Sequence, residues 1–315
     1  MKSGFRDLLR NRNLILILAI ILGFLFWPLA SFTKSLMNLA IILAITLSLC
    51  RIEFKQVFIK FNVFVSFGTT LLFSYILLGG SYIALAYLLL DDPLVINGFI
   101  IMAAAPPAIA IIPFSHVLKA NLNRSVIGTL NGYALTFLTM PLMAGLFFEG
   151  NVDLSGIFGI LVILILVPLV ISQIVRLTGV VPRTEKHYGA IINWCFFLTT
   201  FSIVGLNRDL IVSEPELVLV IFVISLVSTF GLGTLIRFIL KLYKVSDSTS
   251  STYQLLGTMK NWSGAGVIAL NLFGPTASLP GTIALISGIC YYVWLSWRYE
   301  RQRIKNTLAE NQRAG

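Results

Sequence analysis

Gly257-Thr258-Met259-Lys260-Asn261-Trp262-Ser263-Gly264-Ala265-Gly266 stands at the middle of a segment, Ser248 to Pro275, whose single charge is Lys260. The segment is long enough to cross a bilayer, which takes about 20 predominantly apolar residues as helix. Gly, Ser and Asn are poor residues for a helix interior. A Lys at the centre of a membrane helix costs about 2.5–3.5 kcal/mol on insertion scales. A charge kept at that depth faces a cavity, a partner or a substrate. The stretch predicts a spanning helix broken halfway, with Lys260 at the break.

Around this stretch, apolar runs fill nearly the whole chain of 315 residues. The sequence is 57% hydrophobic and 11% charged, against about 45–50% apolar and about 25% charged in soluble domains. These values exclude a soluble globular protein and predict one all-α polytopic membrane domain over residues 1–315. Ten spans are expected, at 14–32, 35–50, 62–90, 94–117, 125–148, 154–175, 188–206, 215–236, 248–272 and 279–297. The third is longer than needed and carries Gly79-Gly80, so it should tilt or bend. The first follows a basic start, as a signal peptide would, but its length and the spans after it mark a retained helix.

The charges test this count. With the N-terminus inside, the cytoplasmic segments hold Lys2, Arg6, Arg10 and Arg12; Arg51, Lys55 and Lys60; Lys119 and Arg124; Arg176, Arg183 and Lys186; Arg237, Lys241 and Lys244; and the tail residues Arg298, Arg301, Arg303, Lys305 and Arg313. That is 20 of the 23 basic residues. Lys34 and Arg208 fall outside, with Asp91, Asp92, Glu149, Asp153, Asp209, Glu214 and Glu216. One miscounted span would scramble the alternation, so both termini are expected in the cytoplasm of a bacterial-type inner or plasma membrane. The net charge of +10 therefore reflects orientation in the membrane and contact with its lipids, and no nucleic acid is expected as a partner.

Span four contains Ala105-Pro106-Pro107-Ala108 and then Pro113. Paired prolines remove two backbone donors and clash with the preceding turn. A simple kink is the alternative, but the matching break in span nine and its Lys weigh against it. Spans four and nine are the fourth of each of two halves of five. Because five is odd, the second half enters the membrane inverted. The layout predicts two inverted five-helix repeats, about 14–148 and 154–297, with broken helices 4 and 9 crossing at the midplane, followed by a basic cytoplasmic tail, 298–315.

The run from Gly257 to Gly281, with Met259-Lys260-Asn261-Trp262-Ser263-Gly264 and then Phe273-Gly274-Pro275…Leu279-Pro280, resembles the bile acid:sodium symporter family. Its ninth helix carries Gly-Met-Gln-Asn-Ser-Gly and ends in a Phe-Gly-Pro…Leu-Pro turn. Ala105-Pro106-Pro107-Ala108 through Ile112, followed by Leu118-Lys119-Ala120, is similar to the family's Cys-Pro-Gly-Gly-Thr-Ala-Ser-Asn and Leu-Ala-Lys-Gly. The resemblance covers the ten-span layout of the whole chain and implies secondary transport of organic anions.

The departures concern sodium. The resemblance implies one ion held by the Ser-Asn of span four, hydroxyls of span five and a Glu of span nine. Here those positions are Ile111 and Ile112, Ser125 and Thr129, and Leu256 or Gly257. A second ion would use that Glu and Gln residues at the positions of Lys260 and, at or beside it, Ser74. Sodium needs hard oxygens and negative charge to offset its desolvation. Loss of both sodium sites is expected, with an altered sodium-coupled symporter as the alternative.

Lys260, Asn261, Thr258, Met259, Trp262, Ser263, Pro106, Pro107 and Ala108 are the candidate substrate-binding or coupling residues. The second half-helices are expected to start near Pro107 and near Ser263 as N-cap, with their positive dipole ends toward the crossing. With Lys260 these ends favour a small organic anion. Either Lys260 stays protonated and the anion diffuses or exchanges, or proton loss and gain at Lys260 couple to substrate movement. Two other readings stand beside these: a structural tether on carbonyls freed by the breaks, and snorkelling to water.

His116 is a relay or an interfacial residue, and His187 a solvated loop residue. Asn131, Asn193 and Asn271 fit interhelical hydrogen bonding. Cys50, Cys195 and Cys290 lack metal-ligand spacing and are expected as buried thiols. No cofactor is expected. No Ser/His/Asp grouping, acidic pair or metal cluster occurs at membrane depth, which disfavours an enzyme. A sensor that keeps a transporter fold is the rival of another class. Substrate identity, transport direction and oligomeric state are open at this level.

Overall fold

The computed structural model describes residues 12–50, 52, 63–148 and 154–314. Of the charges assigned to loops above, Lys2, Arg6, Arg10, Arg51, Lys55, Lys60, Glu149 and Asp153 lie outside the described residues, as do the side chains of Arg12, Arg183, Lys186, Arg303, Lys305 and Arg313.

Every regular element among the described residues is helical. The helices are α1 (Arg12–Leu25), α2 (Trp27–Leu49), α3 (Val63–Leu89), α4 (Pro93–Ala104), α5 (Ile111–Val117), α6 (Leu122–Phe147), α7 (Ser155–Leu177), α8 (Val181–Leu206), α9 (Arg208–Ser213), α10 (Pro215–Leu242), α11 (Asp247–Leu256), α12 (Trp262–Phe273) and α13 (Pro275–Ala314). Seven of them, each with a stretch of 20 or more residues, are long and apolar enough to cross a membrane, and Leu14–Leu25, Pro93–Ala104 and Trp262–Phe273 are shorter apolar helices. In a bilayer each backbone polar group must be satisfied internally, which long helices achieve within one segment.

The side chains are sorted inside out relative to a soluble protein. Phe64 is 89% exposed and Leu177 86%, whereas Ser74, Thr129, Thr252 and Lys260 are fully buried. Water would oppose both choices; hydrocarbon around the helices favours both. The chain is an integral, multi-pass membrane protein. Many buried hydroxyls are satisfied locally: Thr129 Oγ1 donates to Ser125 O at 2.8 Å and Ser225 Oγ to Ile221 O at 2.8 Å, each one turn back on its own helix.

Local sequence sets the helix ends. Asp92 caps α4, its carboxylate accepting from Leu94 N at 2.8 Å, with Pro93 at the first helical position. Asn121 caps α6 by accepting from Arg124 N at 3.1 Å. Gly274, at φ +88°, turns the chain between α12 and α13. The boundary expected near residue 33 lies instead at Phe26, because Pro28 lacks an N–H and would clash with the preceding turn of a continued α1. Lys34 therefore sits within a continuous run from Trp27 to Leu49.

α3, expected to tilt or bend at Gly79-Gly80, carries π-type turns over Leu71–Gly79, and α10 has similar turns over Val227–Gly231. Such turns re-aim side chains within a continuous helix. Packing sorts these helices into two groups: α1 and α2 lie against α8, and α7 against α2, while α4, α12 and α13 pack on one another.

Candidate functional site

Both predicted breaks are present. The chain leaves helix at Ala105 and resumes at Ile111; it leaves again at Gly257 and resumes at Trp262. The two irregular segments run antiparallel across each other at Pro107 and Lys260. Asn261 N donates to Pro106 O at 2.9 Å and Ala108 N donates to Met259 O at 3.2 Å. Backbone groups that no helix can use are thereby paired, as burial requires.

Lys260 completes the crossing. Its Nζ donates to Ala103 O at 2.8 Å and to Ala105 O at 2.7 Å, and lies 3.8 Å from the centre of the Tyr75 ring. The side chain is fully buried. An ammonium has three donors; two meet carbonyls and the third direction meets an aromatic face. Pro107 explains why one of these carbonyls is available, and the end of the helix at Ala105 explains the other. In a continuous helix the N–H of residue 107 would bond Ala103 O, and Pro107 has none. Thr139 Oγ1 takes the next carbonyl, Ala104 O, at 3.2 Å.

Magnitudes decide whether this arrangement is favourable. Two hydrogen bonds from a charged donor contribute about 1.5–3 kcal/mol each, which exceeds the insertion cost of about 2.5–3.5 kcal/mol. The cation also sits at the negative end of the α4 dipole. The geometry is that of the structural tether, and it leaves no room for snorkelling: the ammonium points into the protein and away from either membrane surface.

Neighbouring residues hold the crossing in place. Tyr75 OH donates to Gly132 O at 2.5 Å and lies 2.8 Å from Thr136 Oγ1, which fixes the ring beneath Lys260. Gly132 lies against the Pro107 ring, in space that any Cβ would occupy. Trp262 Nε1 donates to Tyr82 OH at 3.2 Å while its ring packs on Gly288.

The half-helix starts differ from expectation. α12 is capped by Asn261, whose Oδ1 accepts from Gly264 N at 3.2 Å, and not by Ser263, which lies inside the helix. The second half of span four begins at Ile111, not near Pro107, because residues 105–108 are held extended in the bridge.

A cavity of about 790 Å³ ends on this crossing. One wall is α2 (Ala44, Ile45, Ser48) and α8 (Gly189, Ile192, Asn193, Phe196), with Arg176 from α7. The other includes Ala108, Ile112, His116, Tyr133, Met259, Asn261, Trp262 and Ser263. The cavity runs toward His116, an exposed residue. Of the predicted residues, Ala108, Met259, Lys260, Asn261, Trp262 and Ser263 line it; Pro106, Pro107 and Thr258 do not. Thr258 instead bonds back to Gln254 O at 2.6 Å. Arg176 and Tyr133 were hidden among orientation charges and span aromatics, and no sequence pattern singles them out.

Of the sodium-site positions, Ser125 and Thr129 are hydrogen-bonded within the protein. Ser125 Oγ accepts from Ser115 Oγ at 2.7 Å and donates to Thr252 Oγ1 at 3.3 Å. Ile111 is buried, Ile112 faces the cavity, and Leu256 fills the space beside Gly128. The Ser74 hydroxyl is buried without a hydrogen-bond partner. These residues offer hydroxyls and hydrocarbon and no carboxylate, a set without the negative charge that would offset the desolvation of a sodium ion. Among the described residues, no three His, Cys, Asp or Glu side chains are grouped to hold a metal.

The remaining candidates fall in place singly. Asn193 lines the cavity, Asn131 Nδ2 donates to Val63 O at 3.4 Å, and Asn271 pairs with Asn38. His187 is exposed. Cys50 and Cys195 are buried, but Cys290 is exposed, because its face of α13 turns outward. Compared with known proteins, the chain matches no family model and no curated protein.

Proposed function

We propose that this chain is a secondary transporter that carries a small organic anion by alternating access, without sodium, with Lys260 standing in place of a bound cation. One observation carries the reading: a cavity of about 790 Å³, in the range of about 300–1,000 Å³ that holds small ligands, ends on two crossed broken helices. Crossed half-helices at a binding site are the architecture of many transporters.

The chemistry of the lining favours an anion. Arg176, His116 and Lys260 are the basic side chains of the lining, beside amides and hydroxyls, and no carboxylate is among the lining residues described. The capped N-terminus of α12 adds its positive dipole end. Lys260 serves as a fixed positive charge that joins the two breaks, so substrate meets the cavity face of the crossing and not the ammonium itself.

The topology proposed with this function has ten crossings. Seven are the long apolar helices; α1, the pair α4 and α5, and the pair α11 and α12 supply the others. The distribution of Lys and Arg supports an orientation with both termini and the cavity mouth in the cytoplasm. The span-four and span-nine motifs support kinship with the bile acid:sodium symporter family, and the layout supports two inverted repeats.

Uptake into liposomes holding the purified protein tests the reading. Labelled organic carboxylates of graded size should enter or exchange at the same rate with and without a sodium gradient. Uptake driven by sodium would overturn the sodium-independent mechanism. Saturable binding of those carboxylates with no net flux or exchange would replace the transporter by a sensor.

A further inference from the structure

The cavity closes at one end along a seam, and three helices show this in the same direction. On α2, Asn38 lies at the seam, while Ala44 and Ser48 line the cavity. On α8, Ile203 and Asn207 lie at the seam, while Ile192 and Phe196 line the cavity. On α12, Gly266 and Asn271 lie at the seam, while Trp262 and Ser263 line the cavity. The two walls therefore converge away from His116 and meet.

The contacts at the meeting line are few and directional. Asn207 Nδ2, in a buried side chain, donates to Ser278 Oγ at 3.1 Å. The Ser278 hydroxyl in turn donates to Pro275 O at 2.5 Å. Asn38 and Asn271 exchange amide hydrogen bonds, Asn271 Nδ2 to Asn38 Oδ1 at 3.0 Å and Asn38 Nδ2 to Asn271 Oδ1 at 3.5 Å. Between these pairs Ile203 packs directly on Gly266. Apolar side chains such as Met37, Ile41 and Ile203 are buried beside these pairs, but the polar pairs are the directional contacts across the line, and such pairs can be exchanged for water or for other partners.

We infer that this seam is the outer gate of the protein, with the Asn207–Ser278 hydrogen bond as its buried latch and the Asn38–Asn271 pair as its outer one. The inference rests on the transporter reading above, in which the cavity mouth is cytoplasmic. Parting α2 and α8 from α12 and α13 along this line would open the same cavity to the opposite side.

Side-specific thiol labelling tests the gate without a substrate. The native Cys50, Cys195 and Cys290 are replaced by Ala, and Ser48→Cys reports on the cavity. A charged, membrane-impermeant methanethiosulfonate is applied to either face of sealed, oriented vesicles. The expected result is fast labelling from the cytoplasmic face and slow labelling from the outer face. Asn207→Ala should raise the outer rate roughly fivefold, the population shift expected for the loss of about one hydrogen bond. The exposed double substitution Asn38→Ala with Asn271→Ala should raise it by a smaller factor. Gly266→Val, a wedge against Ile203, should raise it by a steric route. Cytoplasmic labelling retained in each variant reports a folded chain, and the exposed pair carries the test where Asn207→Ala does not fold. Equal labelling from both faces in the parent, or no rise in any folded variant, overturns the gate. Anion uptake with an unresponsive seam sinks the gate alone; a responsive seam without anion uptake sinks the proposed cargo alone.

Discussion

Pro107 and Lys260 lie opposite each other in an antiparallel bridge, with Asn261 N on Pro106 O at 2.9 Å and Ala108 N on Met259 O at 3.2 Å. The proline creates the need that the lysine meets. Pro107 cannot donate to Ala103 O, and the Lys260 ammonium donates there instead, at 2.8 Å. Two local irregularities separated by 153 positions are thus parts of one junction.

Removing the ammonium should destabilise the junction. Lys260→Met leaves Ala103 O and Ala105 O buried without a donor, and an unsatisfied buried group costs about 1–3 kcal/mol. Relief of the insertion cost offsets part of this, so a net loss of about 1–3 kcal/mol is expected. Lys260→Gln, which keeps N–H donors, should lose less. Thermal unfolding in detergent measures both; an unchanged midpoint for Lys260→Met would refute the tether.

The proline dependence can be isolated by a double-mutant cycle. Pro106→Ala with Pro107→Ala returns the N–H groups that Met102 O and Ala103 O lack. In that background Lys260→Met should cost at least about 1 kcal/mol less than in the parent. Equal costs in the two backgrounds would show that lysine and prolines act independently.

Tyr75 has two separable contributions. Tyr75→Phe keeps the ring face toward Lys260 and loses the hydrogen bonds to Gly132 O and Thr136, for about 1 kcal/mol. Tyr75→Leu loses both and should cost about 1–2 kcal/mol more, since a desolvated cation–π contact contributes about that much. The same melting assay distinguishes the two variants, and identical midpoints would argue against any contribution from the ring.

Gly132→Val tests the close approach of α6 to the crossing. Its Cβ would meet the Pro107 ring, and an interior overlap of this kind costs about 1–3 kcal/mol. The substitution should lower the unfolding midpoint and weaken anion binding together, because the crossing is one wall of the cavity.

Arg176→Gln separates the cavity charge from the tether. It should weaken binding of an organic carboxylate about 10- to 100-fold, the equivalent of one charge-assisted hydrogen bond of about 1.5–3 kcal/mol. Arg176→Lys should recover part of the loss. Unaltered carboxylate binding by Arg176→Gln would remove this residue from the site.

How much of this was legible in the chain depends on how local each determinant is. Pro106-Pro107 and the Gly-rich run at 257–266 break helix by backbone effects that any reader of the sequence can assign. The depth of Lys260 follows from counting residues. The N-cap was misassigned by two positions, because Asn261 and Ser263 are both competent caps and the choice rests on which backbone geometry the bridge imposes. The partners of Lys260 were not legible, since backbone carbonyls carry no side-chain signature and lie on another helix. Arg176 looks like any other orienting charge until α7 is placed against α2.

By itself the sequence determined a helical, multi-pass membrane protein with two broken segments and a charge at one of them, because hydrophobic length, proline geometry and the cost of a buried ion act at each position on its own. The tertiary structure alone decided what that charge does. Only when the breaks cross does Lys260 reach the carbonyls that the break in span four leaves unpaired, and only then does a cavity form beside it with Arg176 on the facing wall.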